Sequence, residues 1–432
     1  MKVVLIEPRA SVANVYSKLA MPLLGPIYLG TILRNRGHEV EIYHEDIIQP
    51  DYAKLEADCF GISILTSTSK RGYEIARSLP KEKVIMGGVH ASILPNEALE
   101  FCRQVVVGEA EEVIADVVEG RVTSSLVYGK AVENLDSLPY PDFSLIKGFK
   151  PSPLVTPVST SRGCPFDCSF CSVTKMFGRE YRFRSAENVL GELNSRKHKR
   201  FFFCDDNFTA NPGRTRTLLA LMLKHKIRNW ACQVRCDVAK DKELLNLMAR
   251  AGCKVVCVGF ESVNPATLEA YEKKQSLPQI IEAIRSFRKR KIRIHGMFVL
   301  GGEHDNTKTV WETLRFAIKQ KIDTIQMMIL TPVPGTKVYE ILEKQKRIFN
   351  KDWNLYDGQH VVFKPNLVSA KELQINVLKA YAKFYSLHRS LSLLMKLRLR
   401  NAFFNFMGYS ILKKWNECNR QMHWLLHPAA SN

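Results

Sequence analysis

Three cysteines lie within one short stretch near the middle of the chain. Cys164, Cys168 and Cys171 are separated by three and by two residues, and Gly163 and Pro165 shape this stretch as a loop. Thiolates at such spacing bind zinc or an iron–sulfur cluster. A structural zinc site usually closes with four ligands, whereas this loop holds no fourth Cys or His. Three ligands on a four-iron cluster leave one iron open to a substrate or cofactor, so the spacing favours a catalytic cluster.

A regular alternation of strands and helices surrounds this loop and must position it. The triplet follows the first of six predicted strands, and five predicted helices separate those strands. Strict alternation is the period of a β/α barrel or of part of one, and an open sheet with helices on both faces is the alternative. The predicted strands are 157–160, 200–204, 230–235, 255–260, 293–300 and 324–329, and the predicted helices are 186–195, 214–225, 242–251, 277–289 and 307–320.

The N-terminal part of the chain shows a second alternating pattern. Apolar runs at 3–6, 40–43, 59–64, 84–86 and 105–107 alternate with helical stretches at 23–36, 72–79 and 97–101. This pattern predicts a doubly wound, Rossmann-like parallel sheet of the α/β class, in which ligands bind beyond the carboxyl ends of the strands. The residues that follow those ends form either a ligand site or tight turns only; they are Ser63, Gly87, Gly88, His90, Gly108 and Glu109.

Composition divides the chain into four segments. We predict a Rossmann-like domain over 1–135, a proline-rich linker over 136–152, a partial β/α barrel over 153–345 and a helical C-terminal region over 346–432. Within the last segment, 391–412 mixes leucines and aromatic residues with Lys396, Arg398 and Arg400. This mixture predicts either an interfacial amphipathic helix or a helix that packs on the barrel with its basic face in water.

Charge and cysteine content restrict the class of protein and its partners. The formal net charge of +20 is uneven, with −4 over 1–150, +17 over 151–380 and +7 over 381–432. A basic middle and tail suit nucleic acid, an acidic electron carrier, a membrane surface or an anionic substrate, and scattered surface lysines are the alternative. Eleven cysteines, an odd number in a long chain, favour a reducing, cytoplasmic compartment. The sequence contains no run of 18 apolar residues, so we expect no membrane span.

The cysteine triplet after the first barrel strand resembles the radical SAM superfamily. The segments 162–171, 181–185, 87–90 and 107–111 are similar to members that carry an N-terminal cobalamin (B12)-binding domain, and the resemblance covers roughly 1–345. It implies three cofactors: a [4Fe–4S] cluster, S-adenosylmethionine and cobalamin. It also implies that an electron from the cluster breaks a C–S bond of S-adenosylmethionine, and that the resulting 5′-deoxyadenosyl radical abstracts hydrogen from an unreactive C–H bond.

The resemblance assigns roles to residues at the strand ends. The cluster ligands are Cys164, Cys168 and Cys171, and Arg184 pairs with the carboxylate of S-adenosylmethionine. The other residues that the resemblance places around that cofactor or the substrate are Asp205, Asp206, Asn207, Arg235, Glu261, Gly301 and Gly302. For the acidic residues the alternative is a helix N-cap or a barrel salt bridge, and for Arg184 it is a surface position.

The N-terminal domain departs from one pattern of its family. Cobalamin domains often carry Asp-x-His-x-x-Gly after the first strand, with the histidine as the lower cobalt ligand, whereas the loop here, 7–12, contains no histidine. Radical SAM members often lack that ligand. The resemblance therefore implies either a cobalamin site that includes Ser63, Gly87, Gly88, His90, Gly108 and Glu109, or a domain that now holds substrate or serves as structure.

The predicted function is radical modification of an unactivated carbon. We expect a cobalamin-dependent methyltransferase that acts on a hydrophobic small molecule or lipid and takes electrons from a flavodoxin- or ferredoxin-type donor. Ring closure on a tetrapyrrole or lipid is one alternative, and tRNA methylthiolation and a cofactor-based sensor are others. Known tRNA methylthiotransferases carry more N-terminal cysteines than Cys59 and Cys102 and a C-terminal β-domain, so nucleic acid is not the expected partner. The basic, apolar C-terminal region predicts peripheral contact with the inner face of the membrane.

Overall fold

The computed structural model describes residues 1–10, 21–149, 155–196 and 200–419, which fall into two compact units. The first unit contains the described residues up to 165 together with those of 172–204. The second contains 166–171 and 205–419. The chain passes from the first unit to the second and back within the cysteine loop.

The first unit is built on a parallel sheet of six strands. The hydrogen-bonded order is β2-β1-β3-β4-β5-β6, where the strands are β1 (Lys2–Glu7), β2 (Glu39–His44), β3 (Cys59–Ser63), β4 (Val84–Gly87), β5 (Gln104–Val107) and β6 (Leu126–Tyr128). The helices between them are α1 (Leu24–Asn35), α2 (Ser69–Arg77), α3 (Val89–Ile93), α4 (Pro95–Leu99) and α5 (Ile114–Val118).

Both faces of this sheet are buried. Val4 and Ile6 of β1 belong to one apolar core, whereas Val3 and Leu5 belong to another. Because side chains alternate between the faces of a strand, two separate cores mean that the sheet is covered on both sides. The carboxyl ends of the strands are therefore the edge at which the polar residues of this sheet can meet a ligand.

Six further short elements complete the first unit. They are β7 (Thr156–Val158), β8 (Ser161–Arg162), α6 (Val173–Phe177), β9 (Arg182–Phe183), α7 (Ala186–Ser195) and β10 (Phe201–Phe203). Strands β7 and β10 pair in parallel, and β8 and β9 form a two-stranded antiparallel ribbon. Strand β8 ends immediately before the cysteine loop, and β9 follows the loop after α6, so the ribbon closes the segment that contains both.

The second unit contains four parallel strands with helices between them. The strands pair in chain order and are β11 (Trp230–Val234), β12 (Cys253–Glu261), β13 (Arg293–Leu300) and β14 (Thr324–Ile329). The helices are α8 (Pro212–Lys224), α9 (Lys242–Arg250), α10 (Pro265–Ala270), α11 (Leu277–Lys289), α12 (Thr307–Lys319), α13 (Lys337–Lys344), α14 (Ala370–Phe384), α15 (Leu387–Met395) and α16 (Leu399–Asn419).

The predicted fold class is confirmed: a parallel doubly wound sheet, a second parallel β/α layer and a helical C-terminal region. The continuous helix expected over 391–412 is instead two helices, α15 and α16, because the chain turns at Leu397 in a left-handed conformation. The domain boundaries at 135, 152 and 345 remain predictions. None of the helices in the described ranges has the length and apolar character needed to cross a bilayer.

Candidate functional site

The cysteine loop divides between the two units. In the second unit, the buried Cys168 and the half-buried Cys171 lie in one tight turn, in which the Cys171 amide donates to the Cys168 carbonyl at 3.0 Å. Cys164 belongs to the first unit and is half-buried. Among the described residues, no three His, Cys, Asp or Glu side chains form a ready metal site. The assignment of the three cysteines as ligands therefore rests on their spacing and remains a prediction.

The Arg235 guanidinium lies beside Cys168. Its Nη1 is 3.8 Å from the Cys168 Sγ, and its other terminal nitrogen donates to the Lys273 carbonyl. The guanidinium also stacks over the Phe166 ring, 3.7 Å from the ring centroid. Arg235 follows β11 directly, and burial limits its access to water. This places a fixed positive charge beside the sulfur of a predicted cluster ligand.

A buried ion pair lies next to Arg235. Lys273 Nζ is 2.6 Å from the Glu261 Oε1 at the end of β12. Burial opposes the charge of Lys273, but Glu261 and the Cys168 sulfur outweigh it, so the pKa of Lys273 is raised. Glu261 has a φ of 61°, in the left-handed region that costs a non-glycine residue energy. The ladder shifts register between Gly259 and Glu261, which turns this carboxylate toward Lys273.

Three polar residues follow β10, as the sequence predicts. Asp205 and Asn207 are buried, whereas the Asp206 side chain reaches solvent. Desolvation by the surrounding protein, and then the Asp205 carboxylate, raise the pKa of Asp206 to about 7. The Asn207 Oδ1 accepts from the Thr209 hydroxyl at 3.3 Å. Asp206 is thus a carboxylate that exchanges a proton near neutral pH at the edge of the second unit.

The two glycines after β13 are held by a buried carboxylate. The amides of Gly301 and Gly302 donate to the Asp305 Oδ2 at 3.0 and 3.1 Å, and the Thr267 hydroxyl donates to Oδ1 at 2.6 Å. Gly301 has a φ of 96°, which requires glycine. The buried Tyr271 hydroxyl makes no hydrogen bond within the described residues, and a Cβ on Gly302 would lie 2.9 Å from its oxygen. An unsatisfied hydroxyl thus lies beside a backbone that carries no side chain.

Arg184 lies in the first unit, in contact with α7. It forms an ion pair with Glu192, donates from Nε to the Asn188 Oδ1 at 2.8 Å, and donates from Nη1 to the Ser159 carbonyl at 2.9 Å. These contacts hold the segment before α7 against β7. The predicted role of Arg184 as partner of a carboxylate remains a prediction.

The strand ends of the first sheet place the predicted glycines and Ser63 close together. Gly88 has a φ of 92°, and a Cβ there would lie 2.7 Å from the Ile64 carbonyl oxygen and 2.9 Å from the Ser63 Oγ. Only glycine fits this position. At Gly87 the nearest atom to a Cβ would be the Val106 carbonyl oxygen at 3.6 Å, so this backbone is more open.

His90 is fully buried beneath the same strand ends. Its Nδ1 is 3.3 Å from the Thr66 hydroxyl, and its Nε2 is 3.2 Å from the Glu97 Oε1, which also accepts from the Tyr73 hydroxyl at 2.9 Å. Both ring nitrogens therefore have protein partners. In this arrangement His90 ties α3 to the turn that precedes α2 and to α4, and its predicted contact with a cofactor remains a prediction.

Glu109 follows β5 and is the centre of a buried charge cluster. Its carboxylate accepts from Arg162, from Arg182 and, at 3.1 Å, from the Val132 amide. Burial opposes its charge, but the Arg182 hydrogen bond and the Arg162 charge outweigh burial and lower the pKa of Glu109. The preceding Gly108 donates its amide to the Ser92 hydroxyl at 3.0 Å. Binding of a cofactor by these two residues remains a prediction.

A buried acid–histidine pair at the ends of β1 and β2 was missed by the sequence reasoning. Glu7 Oε1 is 3.7 Å from His44 Nε2, and both side chains are buried. Burial is the main cause that raises the pKa of Glu7 to about 8 and lowers that of His44. A signal existed, because both residues end apolar runs whose strands pair in parallel, Glu7 opposite His44. Lys273, Asp305 and Tyr271 were also missed, since no sequence motif marks them.

The residues present fit the cofactors that the sequence predicts. Thiols are the donors that iron–sulfur clusters use, and Arg235 supplies positive charge beside one of them. The unsatisfied Tyr271 hydroxyl beside Gly302 can donate to a polar group of a bound molecule. In the first unit, Gly87 and Gly88 place no side chain at the carboxyl end of β4, the end at which such sheets bind ligands.

Two family models match the chain. Residues 158–317 match the radical SAM superfamily, and residues 10–118 match the B12 binding domain. The two matches do not overlap, and they follow the order in which the two α/β patterns were predicted from the sequence.

Two relatives extend over most of the chain. A bacteriochlorophyllide d C-12(1)-methyltransferase of Chlorobaculum tepidum is 29% identical over 404 residues, which cover 89% of this chain and 87% of that protein. An anaerobic magnesium-protoporphyrin IX monomethyl ester cyclase of Cereibacter sphaeroides is 28% identical over 376 residues, which cover 78% of this chain and 60% of that protein. Fewer than one third of the aligned residues are identical in either comparison. The substrates in these names therefore describe those two proteins and are not assigned to this chain.

A solved structure shares the fold over nearly the whole chain. The cobalamin-dependent S-adenosylmethionine radical enzyme OxsB, solved with aqua-cobalamin and S-adenosylmethionine bound, matches with a TM-score of 0.70 and 15% identity. The match covers 99% of this chain and 76% of that chain. At this identity the likeness establishes the fold of the chain and not its substrate.

Proposed function

The chain belongs to the radical SAM superfamily and carries a B12-binding domain ahead of its radical SAM domain, and from this premise we propose that it is a cobalamin-dependent radical SAM methyltransferase. The proposed reaction adds a methyl group to an unactivated carbon of a hydrophobic small molecule or lipid. The observation that carries the proposal is the presence of both domains in one chain, at 10–118 and 158–317. This chain aligns with 87% of the bacteriochlorophyllide d methyltransferase but with only 60% of the cyclase. The fuller alignment favours methyl transfer over ring closure.

The proposed role of the cysteine loop is to hold the cluster by three thiolates. When bound, the cluster and S-adenosylmethionine supply one-electron cleavage of a C–S bond, and cobalamin supplies a methyl group. Cys164, Cys168 and Cys171 are the ligands that we assign. Arg235 keeps a positive charge 3.8 Å from the Cys168 Sγ, and Phe166 covers the guanidinium. This charge would offset the negative charge that gathers on a reduced cluster.

The remaining residues at the strand ends of the second unit would hold S-adenosylmethionine and substrate. Asp206, with its pKa near 7, can accept a hydrogen bond from the methionine amino group above that pH, when its carboxylate is ionised. The other residues that we assign to this role are Asp205, Asn207, Glu261, Gly301 and Gly302. Support comes from the Lys273 contact that fixes Glu261 and from the Asp305 contact that fixes both glycines.

The proposed cobalamin site is the carboxyl edge of the first sheet. The residues assigned to it are Ser63, Gly87, Gly88, His90, Gly108 and Glu109. Support comes from the match of 10–118 to the B12 binding domain and from the side-chain-free backbone at Gly87. Since His90 and Glu109 already have protein partners, we assign them to positioning of the glycine loops.

The proposed partners follow from the chemistry and from charge. We propose a flavodoxin- or ferredoxin-type electron donor, because such carriers are acidic and this chain has a net charge of +20. A cytoplasmic location is proposed because the chemistry needs reduced thiols, and no disulfide joins the cysteines in the described ranges. The region α14–α16 is helical, whereas a tRNA methylthiotransferase was expected to carry a β-domain, so we do not propose that reaction.

Reconstitution under anaerobic conditions tests the cluster assignment. The wild-type protein should bind about four irons per chain and form 5′-deoxyadenosine or S-adenosylhomocysteine when a reductant and S-adenosylmethionine are added. Cys168→Ala should lose both the iron and the turnover. Cys257→Ala, which removes a barrel cysteine outside the loop, is the matched control and should keep both. Undiminished turnover by Cys168→Ala would refute the assignment.

Mass spectrometry of hydrophobic extracts tests methyl transfer. Extracts of a deletion strain should contain a compound that is lighter by one CH2 than its counterpart in the complemented strain. Growth with methyl-deuterated methionine should carry the label into the heavier compound. A counterpart that differs by loss of hydrogen, with no label gained, would instead identify ring closure.

A further inference from the structure

The helices α15 and α16 carry an exposed apolar surface at the end of the second unit. Met395 is 78% and Leu397 is 84% exposed, although both are large apolar side chains. We name this surface the hairpin patch and define it by its most exposed members: Leu391, Met395, Leu397, Leu399, Phe403 and Phe406. Single exposed apolar residues are normal on proteins, but six within 16 consecutive positions form a concentrated patch.

Helical spacing separates this patch from the face that packs on the unit. Leu399, Phe403 and Phe406 are four and three residues apart, so they lie on one face of α16. The opposite face is bonded inward, since Asn401 donates to Asp323 at 2.7 Å and Ser390 of α15 donates to Asn405 at 2.9 Å. The exposed apolar side chains therefore lie on the outer face of the helical hairpin, whereas the polar side chains on its inner face already have hydrogen-bond partners.

The turn between the two helices presents apolar side chains outward. Leu397 has a φ of 54°, a left-handed conformation that helix ends usually give to glycine or asparagine. The turn is closed by backbone hydrogen bonds, from the Leu397 amide to the Leu394 carbonyl and from the Arg398 amide to the Leu393 carbonyl, both 2.9 Å. A leucine at this position costs stability in water and leaves its side chain at the tip of the hairpin.

The charged side chains within the hairpin are cationic up to residue 416, and Asp323 from outside the hairpin lies 3.8 Å from Arg398. Between Glu372 and Glu417 the sequence contains no Asp or Glu, but it contains eight Lys and Arg residues. Lys396 and Arg400 flank the tip and are exposed. Apolar side chains bordered by cations match an anionic bilayer surface. The boundary between headgroups and acyl chains accommodates the apolar side chains, and the anionic headgroups attract the cations. A second copy of this chain is a poor occupant, because a symmetric contact would place the cations of both copies together.

We propose that the hairpin patch docks the protein on a bilayer that contains anionic lipids. The tip, Met395 to Leu399, enters the boundary between headgroups and acyl chains, while Lys396 and Arg400 contact lipid phosphates. The hairpin patch is independent of the proposed chemistry, and vesicle binding is measured without turnover. Failure of vesicle binding would therefore leave the proposed methyl transfer untouched, and failure of methyl transfer would leave the docking proposal untouched.

Flotation with vesicles tests the docking of the full chain. The protein should float with vesicles of phosphatidylcholine and phosphatidylglycerol and remain at the bottom of the gradient with phosphatidylcholine alone. The double variant Leu397→Asn with Phe403→Ser should bind at least about tenfold more weakly, because two apolar side chains are removed. Lys396→Gln with Arg400→Gln should weaken binding about fivefold for each charge and reduce its sensitivity to salt.

A matched control uses exposed apolar residues elsewhere in the same unit. Ile341→Ser with Leu367→Ser removes two side chains that are also about half exposed and should leave vesicle binding unchanged. Thermal melts of all variants verify that they fold. Two results would overturn the proposal: absence of wild-type binding to the anionic vesicles, or equal binding by the wild type and the Leu397/Phe403 variant. If the wild type binds no vesicles but forms a dimer in light scattering that the Leu397/Phe403 variant does not form, the patch is instead a contact between two copies.

Discussion

The two units each contain a buried charge cluster, and the clusters use their arginines differently. In the first unit, Glu109 accepts hydrogen bonds from Arg162, Arg182 and a backbone amide, so every group in contact is a charge partner or a fixed dipole. In the second unit, Arg235 lies 3.8 Å from the sulfur of Cys168, a predicted cluster ligand, and 3.8 Å from the half-exposed Asp237 carboxylate. A buried charge matched by buried carboxylates serves the fold, whereas a buried charge that lies against a thiol indicates chemistry.

The largest effect that follows from this comparison is on stability. Glu109→Gln should lower the free energy of unfolding by about 3–5 kcal/mol, because it leaves the buried Arg182 guanidinium without a carboxylate and leaves Arg162 with Glu111 alone. Urea unfolding measures the change. Arg121→Gln is the control: its ion pairs with Asp116 and Glu119 are largely exposed, so the loss should stay below about 1 kcal/mol. A Glu109 variant that keeps its stability but loses cobalamin would break the comparison.

Glu7 sharpens the comparison because it is a buried acid without an arginine partner. Its pKa of about 8 in the fold exceeds the ordinary 4.5, so the folded state holds a proton that the unfolded state releases. The contribution of Glu7 to stability is therefore greatest below pH 4.5 and falls as the pH rises toward 8. Glu7→Gln should remove this fall and gain roughly 1–3 kcal/mol over the wild type at the alkaline end.

Unfolding curves at several pH values check this prediction. His44 has an opposite dependence, since its lowered pKa makes stability rise as the pH increases toward its ordinary 6.5 and level off above that value. Because His44 is present in both proteins, the difference between wild type and Glu7→Gln reports mainly on Glu7. Parallel curves for the two proteins would show that Glu7 is ionised in the fold.

The smallest of these effects is on the reduction potential of the cluster. Arg235→Gln should lower the midpoint potential by about 30–60 mV, because a nearby cation stabilises the more negative, reduced form. A redox titration followed by electron paramagnetic resonance measures the shift, with iron content as a check. Lys337→Gln is the control, since its charge is exposed and paired with Asp167 and Glu272. An unchanged potential in Arg235→Gln would mean that this arginine serves the fold like those around Glu109.

The fold was predictable from the sequence where strands are continuous apolar runs. Strand β13 and helix α11 match the predicted bounds residue for residue, because buried strands and amphipathic helices leave strong periodic patterns. Strand β6, with only Val127 buried, was missed because an edge strand of three residues leaves almost no pattern. The break between α15 and α16 was missed because a leucine takes the left-handed position and no glycine or proline marks it.

The site was predictable only in the parts that carry local motifs. The cysteine spacing and the glycine pairs are local, so sequence alone located them. The partners are not local: Glu261 meets Lys273 only because the chain turns back after α10, and Glu109 meets Arg182 across 73 positions. Glu7 and His44 form the intermediate case, since parallel pairing of β1 and β2 brings two strand-end residues together.

The central claim is that one chain holds both an iron–sulfur cluster and cobalamin. Elemental analysis of protein purified anaerobically, after growth with the vitamin and reconstitution, tests this claim most directly. The account predicts about four irons and about one cobalt per chain in the same preparation, with the iron lost and the cobalt retained in Cys168→Ala. Iron without cobalt would contradict the assignment of the first unit, and cobalt without iron would contradict that of the cysteine loop.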